Sequence, residues 1–285
     1  MPTTDATTVE GLLAECRDRL RRAGVAHPGL EARLLLGHQL EIPEVHLLAF
    51  GERPVTAPQA EAVRALIAAR AAGQPVAYLL GRREFWSLPL AVDDGCLIPR
   101  PETELLVERA LRHLPTGPAR VLDLGTGSGA IALALKSERP SLTVWASDAE
   151  ARALAVAAAN ARSLGLTVHW FRGRWLEAVA PRPRFDLIVS NPPYIAAEDP
   201  HLAAGDLRFE PRSALVAADT GLADLRAIAE ASRSRLRPGA WLLLEHGADQ
   251  GSAVRALLRR AGYREVSSHT DLAGLERMTE GRAAA

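Results

Sequence analysis

A planar nitrogen carrying two hydrogens can be gripped by a stretch of chain that offers acceptors and no competing donors. Asn191-Pro192-Pro193-Tyr194 is such a stretch. Each proline lacks an N–H, and a residue that precedes proline is driven toward extended backbone, so Asn191 and Pro192 are held stretched. The Asn191 side-chain oxygen and the Pro192 carbonyl can then each accept one hydrogen of an NH2 group. The tetrapeptide follows the apolar run Phe185-Asp186-Leu187-Ile188-Val189-Ser190, which reads as a buried strand. Asn-Pro is also an ordinary turn signal, so the motif acquires chemical meaning only from what stands upstream.

Upstream lies Val121-Leu122-Asp123-Leu124-Gly125-Thr126-Gly127-Ser128-Gly129-Ala130-Ile131-Ala132-Leu133, a strand, a glycine loop and a helix start. Glycines let backbone approach a ligand with no Cβ in the way. The spacing is G-x-G-x-G. It is neither the G-x-G-x-x-G of dinucleotide sites nor a P-loop, which requires Gly-Lys-Ser/Thr, so pyrophosphate is not the expected ligand. Asp148 follows the next strand about twenty residues on, where a carboxylate accepts hydrogen bonds from ribose hydroxyls. Glycine loop, acid and tetrapeptide all fall at carboxyl ends of expected strands, where open α/β sheets bind ligands. A nucleoside cofactor fits all three.

The elements that must position these residues follow from punctuation and periodicity. Arg120 to Leu124, Thr143 to Ser147, Thr167 to Phe171, Phe185 to Ser190 and Trp241 to Glu245 are strand-like, with Ala/Leu-rich helical stretches between them. That alternation predicts a mainly parallel, doubly wound sheet. The first part reads instead as a small helical bundle. Thr7-Thr8-Val9-Glu10 offers a capping box before an amphipathic helix carrying Leu12, Leu13, Cys16 and Leu20. Pro28 and Pro58 sit where first helical turns begin, and Gly24 and Gly73 where helices end. Between the two parts, Glu84 to Val92 and Cys96 to Ile98 read as short strands about an Asp94-Gly95 turn, a hairpin linker.

Composition narrows the class. The 285 residues carry 34 Lys plus Arg against 34 Asp plus Glu, a formal net charge of +0, and residues 1–80 hold eight Arg against nine acidic residues. Nothing announces a polyanion binder, and no direct nucleic-acid partner is expected. The N-terminus lacks the basic start and apolar stretch of a secretory signal, and the apolar runs are far shorter than the ~20 residues that span a bilayer. Cys16 and Cys96 lack metal-ligand spacing and read as free thiols of a reducing compartment, so a cytoplasmic protein without a membrane partner is expected.

Taken together, the glycine loop, Asp148 and Asn191 to Tyr194 resemble those of S-adenosylmethionine-dependent amino-methyltransferases of the Rossmann-like class. Arg83-Glu84-Phe85-Trp86-Ser87-Leu88-Pro89-Leu90, Leu97-Ile98-Pro99-Arg100-Pro101-Glu102-Thr103-Glu104, Asp206-Leu207-Arg208-Phe209-Glu210-Pro211 and Leu243-Leu244-Glu245-His246-Gly247 narrow the resemblance. Across essentially the whole chain they are similar to the peptide chain release factor glutamine N5-methyltransferases, the PrmC/HemK family. The helical domain over 1–80, which carries no cofactor motif, is expected to recognise the protein substrate, the alternative being that it only covers apolar surface of the catalytic domain. The resemblance implies an α/β fold with a Rossmann-like methyltransferase domain, here over 99–285 after the β-hairpin linker of 81–98. It implies S-adenosyl-L-methionine as cofactor, no metal, and class I release factors as protein substrates, methylated on the glutamine of their Gly-Gly-Gln loop. It places Gly125, Thr126, Gly127, Ser128 and Gly129 around the methionine part of the cofactor, Asp148 on the ribose and Trp175 beside the adenine. Asn191, Pro192, Pro193 and Tyr194 would hold the substrate glutamine.

Family members often carry an acidic residue just before the position of Trp175, where this chain has Arg174; Trp175 also suits a plain core aromatic. Glu102 and Thr103 read either as cofactor neighbours or as caps of the helix after Pro101. The sequence offers no paired general base: His113, His169, His201 and His246 each stand alone and read as structural or solvated. The alternative function is a nucleic-acid amino-methyltransferase, since adenine and cytosine also carry planar amines; it requires a basic track and aromatics for a flipped base. A second alternative, an idle binding protein on this fold, is disfavoured by the intact loop, acid and tetrapeptide.

Overall fold

The computed structural model describes residues 7–47, 49, 51–177, 179–180 and 184–284. The chain divides into two compact units, Met1–Gly81 and Arg82–Ala285.

In the first unit, α1 (Val9–Arg22), α2 (Pro28–Leu40), α3 (Ala57–Ala71) and α4 (Val76–Leu80) enclose a core of Leu12, Leu20, Leu35, Leu36, Val63 and Ile67. The capping box expected at Thr7 to Glu10 does not form. The Thr7 carbonyl accepts from Val55 N, which holds Thr7 outside the helix, and Thr8 becomes the N-cap, accepting from Gly11 N at 3.2 Å. That shift leaves Gly11, not Glu10, at the third helical position. The reciprocal box occurs on α3, where Thr56 and Gln59 bond each other's backbone N–H groups.

The second unit opens with a hairpin of β1 (Arg82–Phe85) and β2 (Leu88–Ala91), whose Phe85 and Leu90 are buried in the core of that unit. Its turn is Trp86-Ser87, not Asp94-Gly95 as expected. Trp86 and Ser87 both adopt positive φ, 51° and 58°, while neither Asp94 nor Gly95 does. A bulky residue resists that conformation, and tertiary hydrogen bonds hold it there. Trp86 N donates to Glu104 Oε1 at 2.8 Å and the indole Nε1 to Glu138 Oε1 at 2.7 Å. Asp93 instead closes a local turn by accepting from Gly95 N at 2.9 Å, and Arg152 packs across it, paired with Asp93 and Asp94.

Then follow α5 (Glu104–His113), β3 (Arg120–Leu124), α6 (Ala130–Glu138), β4 (Thr143–Asp148), α7 (Ala151–Ser163), β5 (His169–Arg172), β6 (Phe185–Ser190), α8 (Ala223–Ser232), β7 (Leu236–Glu245), α9 (Gly251–Arg260), β8 (Tyr263–Thr270) and β9 (Glu276–Ala283). The sheet order is β5-β4-β3-β6-β7-β9-β8, parallel from β5 to β7 and antiparallel for the last two strands. Alternate residues of β3 and β6 face two cores: Val121, Leu187 and Val189 on one side, Leu122, Leu124 and Ile188 on the other. Burial on both faces is the condition under which a parallel sheet is stable.

The antiparallel β8–β9 pair was not anticipated from the sequence. β9 reads polar, yet Glu280 is buried and held by Arg109 at 2.7 Å, His113 at 3.0 Å and His269 at 3.0 Å. Burial opposes its charge, but hydrogen bonds from His113, Arg109 and His269 hold its carboxyl down at about 2. Among the described residues no helix is long and apolar enough to cross a membrane.

Candidate active site

Strand order reverses at β3, where β4 and β5 build outward on one side and β6 and β7 on the other, opening a crevice at the carboxyl edge. Register aligns the exits: Leu124 pairs with Ser147 on one side and Ser190 on the other. Gly125, Asp148 and Asn191 therefore leave the sheet side by side. They line a cavity of about 310 Å³ together with Thr103, Trp175 and Asp224.

The glycine loop is forced by geometry. Gly125 and Gly127 have φ of 71° and 56°, and Gly129, the residue that caps the start of α6, has 87°. A Cβ on Gly129 would lie 3.0 Å from Leu133 Cδ1 and 3.2 Å from Ala157 Cβ, whereas on Gly127 it would meet nothing within 4 Å. Gly129 thus serves close helix packing, and Gly127 leaves room for a ligand. Gly125 N and Thr126 N both donate to Ser147 O at 2.9 Å. The Thr126 hydroxyl donates to Asp123 Oδ2 at 2.6 Å, which also accepts from Ala132 N at 3.2 Å. Asp123 is fully buried and its Oδ1 has no partner; burial pushes its pKa up to about 7. Ser128 O accepts from Asn160 Nδ2 at 2.9 Å, and the same side chain bonds both N and O of Ala91 on β2.

Asp148 Oδ2 accepts from Gly127 N and Oδ1 from Glu150 N, each at 2.9 Å. Burial raises its pKa while those two N–H groups favour the anion. A carboxylate has about four acceptor positions, so two remain for vicinal hydroxyls of a ligand. Trp175 packs as a core aromatic and also lines the cavity. Its ring lies against Gly125, close enough that a Cβ there would be 3.1 Å away.

The departure at Arg174 has a structural answer fifty residues away. Asp224, at the start of α8 and nearly buried, accepts from Arg174 Nη2 at 2.9 Å and from Trp175 Nε1 at 3.1 Å. Nothing in the local sequence of Asp224 flags this. Asn160 could have been found, since it is a polar residue on the face of α7 otherwise formed by Ala153, Ala157 and Ala161.

In the tetrapeptide, Asn191 and Pro193 line the cavity and Pro192 is buried. Asn191 Nδ2 donates to the buried Thr103 hydroxyl at 3.2 Å, leaving the amide oxygen for a ligand. Thr103 is accordingly a direct neighbour of the site. Tyr194 is anchored at both ends, its hydroxyl 3.5 Å from Glu245 Oε1 and its carbonyl accepting from Gln250 Nε2 at 3.0 Å. Gly221, at φ 86°, lies so close that a Cβ there would be 2.2 Å from Tyr194 O. Buried Glu210 pairs with cavity-lining Arg100 and accepts from Ile98 N at 3.0 Å, tying together two of the segments singled out in the sequence.

None of the four histidines lines the cavity. His113 stacks on Trp241 and bonds Glu280, His169 stacks on Trp145, His201 bonds Asp199, and buried His246 bonds Gly247 O and the Thr279 hydroxyl. Among the described residues no group of three or more His, Cys, Asp or Glu is arranged to hold a metal ion, and both cysteines are free and buried.

Residues 11–81 match the PrmC N-terminal domain and residues 101–210 the methyltransferase small domain. The release factor glutamine methyltransferase of Vibrio cholerae is 47% identical over 97% of this chain and 97% of its own. That of Salmonella typhimurium is 51% identical over 90% of this chain and 92% of its own. Among solved structures, a methyltransferase from Pyrococcus furiosus superposes with a TM-score of 0.54 at 17% identity, over 70% of this chain and 90% of that one, which is a likeness of fold. With the family's two domains matched in order and half the residues shared along nearly the full length, the chain belongs to the release factor glutamine methyltransferases.

Proposed function

We propose that this enzyme transfers a methyl group from S-adenosyl-L-methionine to the side-chain amide nitrogen, N5, of the glutamine in the Gly-Gly-Gln motif of class I peptide chain release factors. The observation that carries the reading is the placement of Asn191 in one cavity with the glycine loop and Asp148, its NH2 committed to Thr103. The cofactor would supply a methyl group on a sulfonium, an electrophile that needs no metal. Gly125 to Gly129 would hold its methionine part, the two remaining acceptor positions of Asp148 its ribose, and Trp175 with Asp224 the wall beside its adenine.

The difficulty for the protein is the nucleophile. An amide lone pair is delocalised into its carbonyl. If Asn191 Oδ1 and the Pro192 carbonyl accept the two amide hydrogens, electron density on nitrogen rises and the lone pair stays aimed at the methyl group. The same preorganised acceptors stabilise positive charge as it develops on nitrogen. The Tyr194 ring would pack on the amide plane, its face favouring that charge. The N-alkylated amide is acidic enough to lose its proton to solvent, so no side chain is assigned as general base.

Residues 1–80 would recognise the protein substrate, because one glutamine side chain offers few atoms for discrimination and selectivity must draw on remote surface. Mass spectrometry of a release factor incubated with enzyme and S-adenosylmethionine tests the reading: one added methyl group on the Gly-Gly-Gln glutamine is expected. Methylation elsewhere on the factor, or of DNA or RNA in its place, would overturn it. Comparing intact factor with a short Gly-Gly-Gln peptide tests the first unit. Surface substitutions at exposed Leu30 and Val45 are expected to lower kcat/KM for the factor more than for the peptide.

A further inference from the structure

The hairpin of β8 and β9 takes no part in the mechanism above, yet its tip ends beside the tetrapeptide. In the register that pairs Ser190 with Leu244, Glu245 is level with Asn191, and on the other side of β7 it faces Met278 of antiparallel β9. His246 N donates to Arg277 O at 2.8 Å, and Glu245 receives the Tyr194 hydroxyl at 3.5 Å. The turn at residues 271–275 therefore projects from the carboxyl edge of the sheet, the edge that carries the cavity. Its two leucines are exposed, Leu275 at 45% and Leu272 at 110%, and among the described residues of the second unit no other large apolar side chain is.

An exposed leucine by itself calls for no explanation. This one is held still. Asp271 Oδ1 accepts from Ala273 N at 2.9 Å and from Leu275 N at 3.0 Å, and its Oδ2 accepts from Arg277 Nε at 2.8 Å. Backbone bonds from Asp271 N to Leu275 O and from Gly274 N to Asp271 O close the same turn. A fixed backbone that presents an apolar side chain outward pays little ordering cost when a partner covers it.

We propose that the 271–275 turn is a docking point for the release factor, with Leu272 the anchor and Leu275 beside it, packing on an apolar patch of the factor outside the Gly-Gly-Gln motif. A release factor whose glutamine enters the cavity must lie over the edge from which the turn projects. Two strand spacings of ~4.8 Å across and about four residues of ~3.4 Å along β9 put Leu272 roughly 15 Å from Asn191. The motif itself offers nothing for a leucine at that place: its glutamine is committed to the cavity and its glycines have no side chains. One contact at Asn191 and a second at the turn fix the direction of the glutamine's approach as well as its position.

This inference rests on the proposed substrate, and its test separates the two. The first readout needs no methyl transfer: the Kd of intact release factor by isothermal titration calorimetry, expected to rise at least fivefold in Leu272→Asp and to stay within twofold of wild type in Leu272→Met. The second is kcat/KM, expected to fall at least tenfold on intact factor and at most threefold on a short Gly-Gly-Gln peptide in Leu272→Asp. The third is a benzophenone attached to Leu272→Cys, selective because Cys16 and Cys96 are buried. Its crosslinks are expected on the factor, flanking the Gly-Gly-Gln motif. An unchanged factor Kd in folded Leu272→Asp would overturn the docking point, as would equal fractional losses on factor and peptide, or crosslinks confined to a second copy of the enzyme. If Leu272→Asp does not fold, Leu272→Ser and the crosslink decide by the same criteria. A factor that loses affinity for Leu272→Asp, yet gains no methyl group on its glutamine from wild-type enzyme, would fault the proposed reaction and leave the docking point standing.

Discussion

Replacing Asp148 by alanine removes one carboxylate of whose roughly four acceptor positions the protein fills two. Two are taken by Gly127 N and Glu150 N, each at 2.9 Å, and the proposed function assigns the others to the ribose hydroxyls. Hydrogen bonds to a charged group contribute about 1.5 kcal/mol or more each when net solvent exchange is counted. Asp148 is partly exposed, which lowers that figure. Losing both is expected to weaken S-adenosylmethionine binding by about 1 to 3 kcal/mol, roughly fivefold to 150-fold in Kd. Part of the loss arises in the free enzyme, because Gly127 N is left without its acceptor and the glycine loop loosens. Asp148→Asn separates the contributions: its oxygen keeps one backbone N–H, but its NH2 must face the other, donor against donor. It is therefore expected to bind no better than the alanine variant despite its shape. Isothermal titration calorimetry on variants whose melting temperatures confirm folding measures both. An unchanged Kd in folded Asp148→Ala would remove this residue from the cofactor site and refute the division of its acceptor positions.

Asn191→Ala is expected to leave cofactor affinity within a few fold while slowing single-turnover methylation about a hundredfold or more, the scale of a lost preorganised transition-state contact. Gly221→Ala, whose Cβ would fall 2.2 Å from Tyr194 O, is expected to displace the tetrapeptide, costing about 2 kcal/mol of stability and tenfold or more in kcat/KM, read by denaturation and steady-state kinetics. Buried Glu245, whose carboxyl is raised from 4.5 to about 7 on folding, binds its proton more tightly in the folded state, so its contribution to stability is complete below pH 4.5 and lost as pH rises through 7. Glu245→Gln should thus gain on wild type in melting experiments between pH 5 and 8, by up to about 3 kcal/mol.

Much of the site was legible in the chain because its parts are local. Gly125 to Gly129, Asp148 and Asn191 to Tyr194 each follow an apolar strand, and parallel topology brings strand ends together without further information. Residues that act across the fold were not legible as such. Asp224 answers Arg174 and Trp175 from the start of α8, and Glu245 reaches the Tyr194 hydroxyl only through strand register. The hairpin turn went astray because Asp94-Gly95 is the stronger local signal, whereas Trp86-Ser87 is held in a costly conformation by Glu104 and Glu138 from distant helices. β9 escaped notice because the charge of Glu280 disguises a buried strand, and only the assembled Arg109, His113 and His269 make that burial tolerable.

Asn160 makes three hydrogen bonds, two to Ala91 and one to Ser128, so one side chain closes sequence separations of 69 and 32 residues. Its consequence is a matter of cooperativity. The last strand of the hairpin cannot open while α7 and the glycine loop remain closed, because the same amide would be stripped of its partners in a dry environment. Hydrogen exchange at Ala91 N is therefore expected to proceed through unfolding of the larger unit rather than fraying of a two-stranded ribbon. A ligand that steadies Gly127 would slow exchange at Ala91 as well, though Ala91 does not line the cavity.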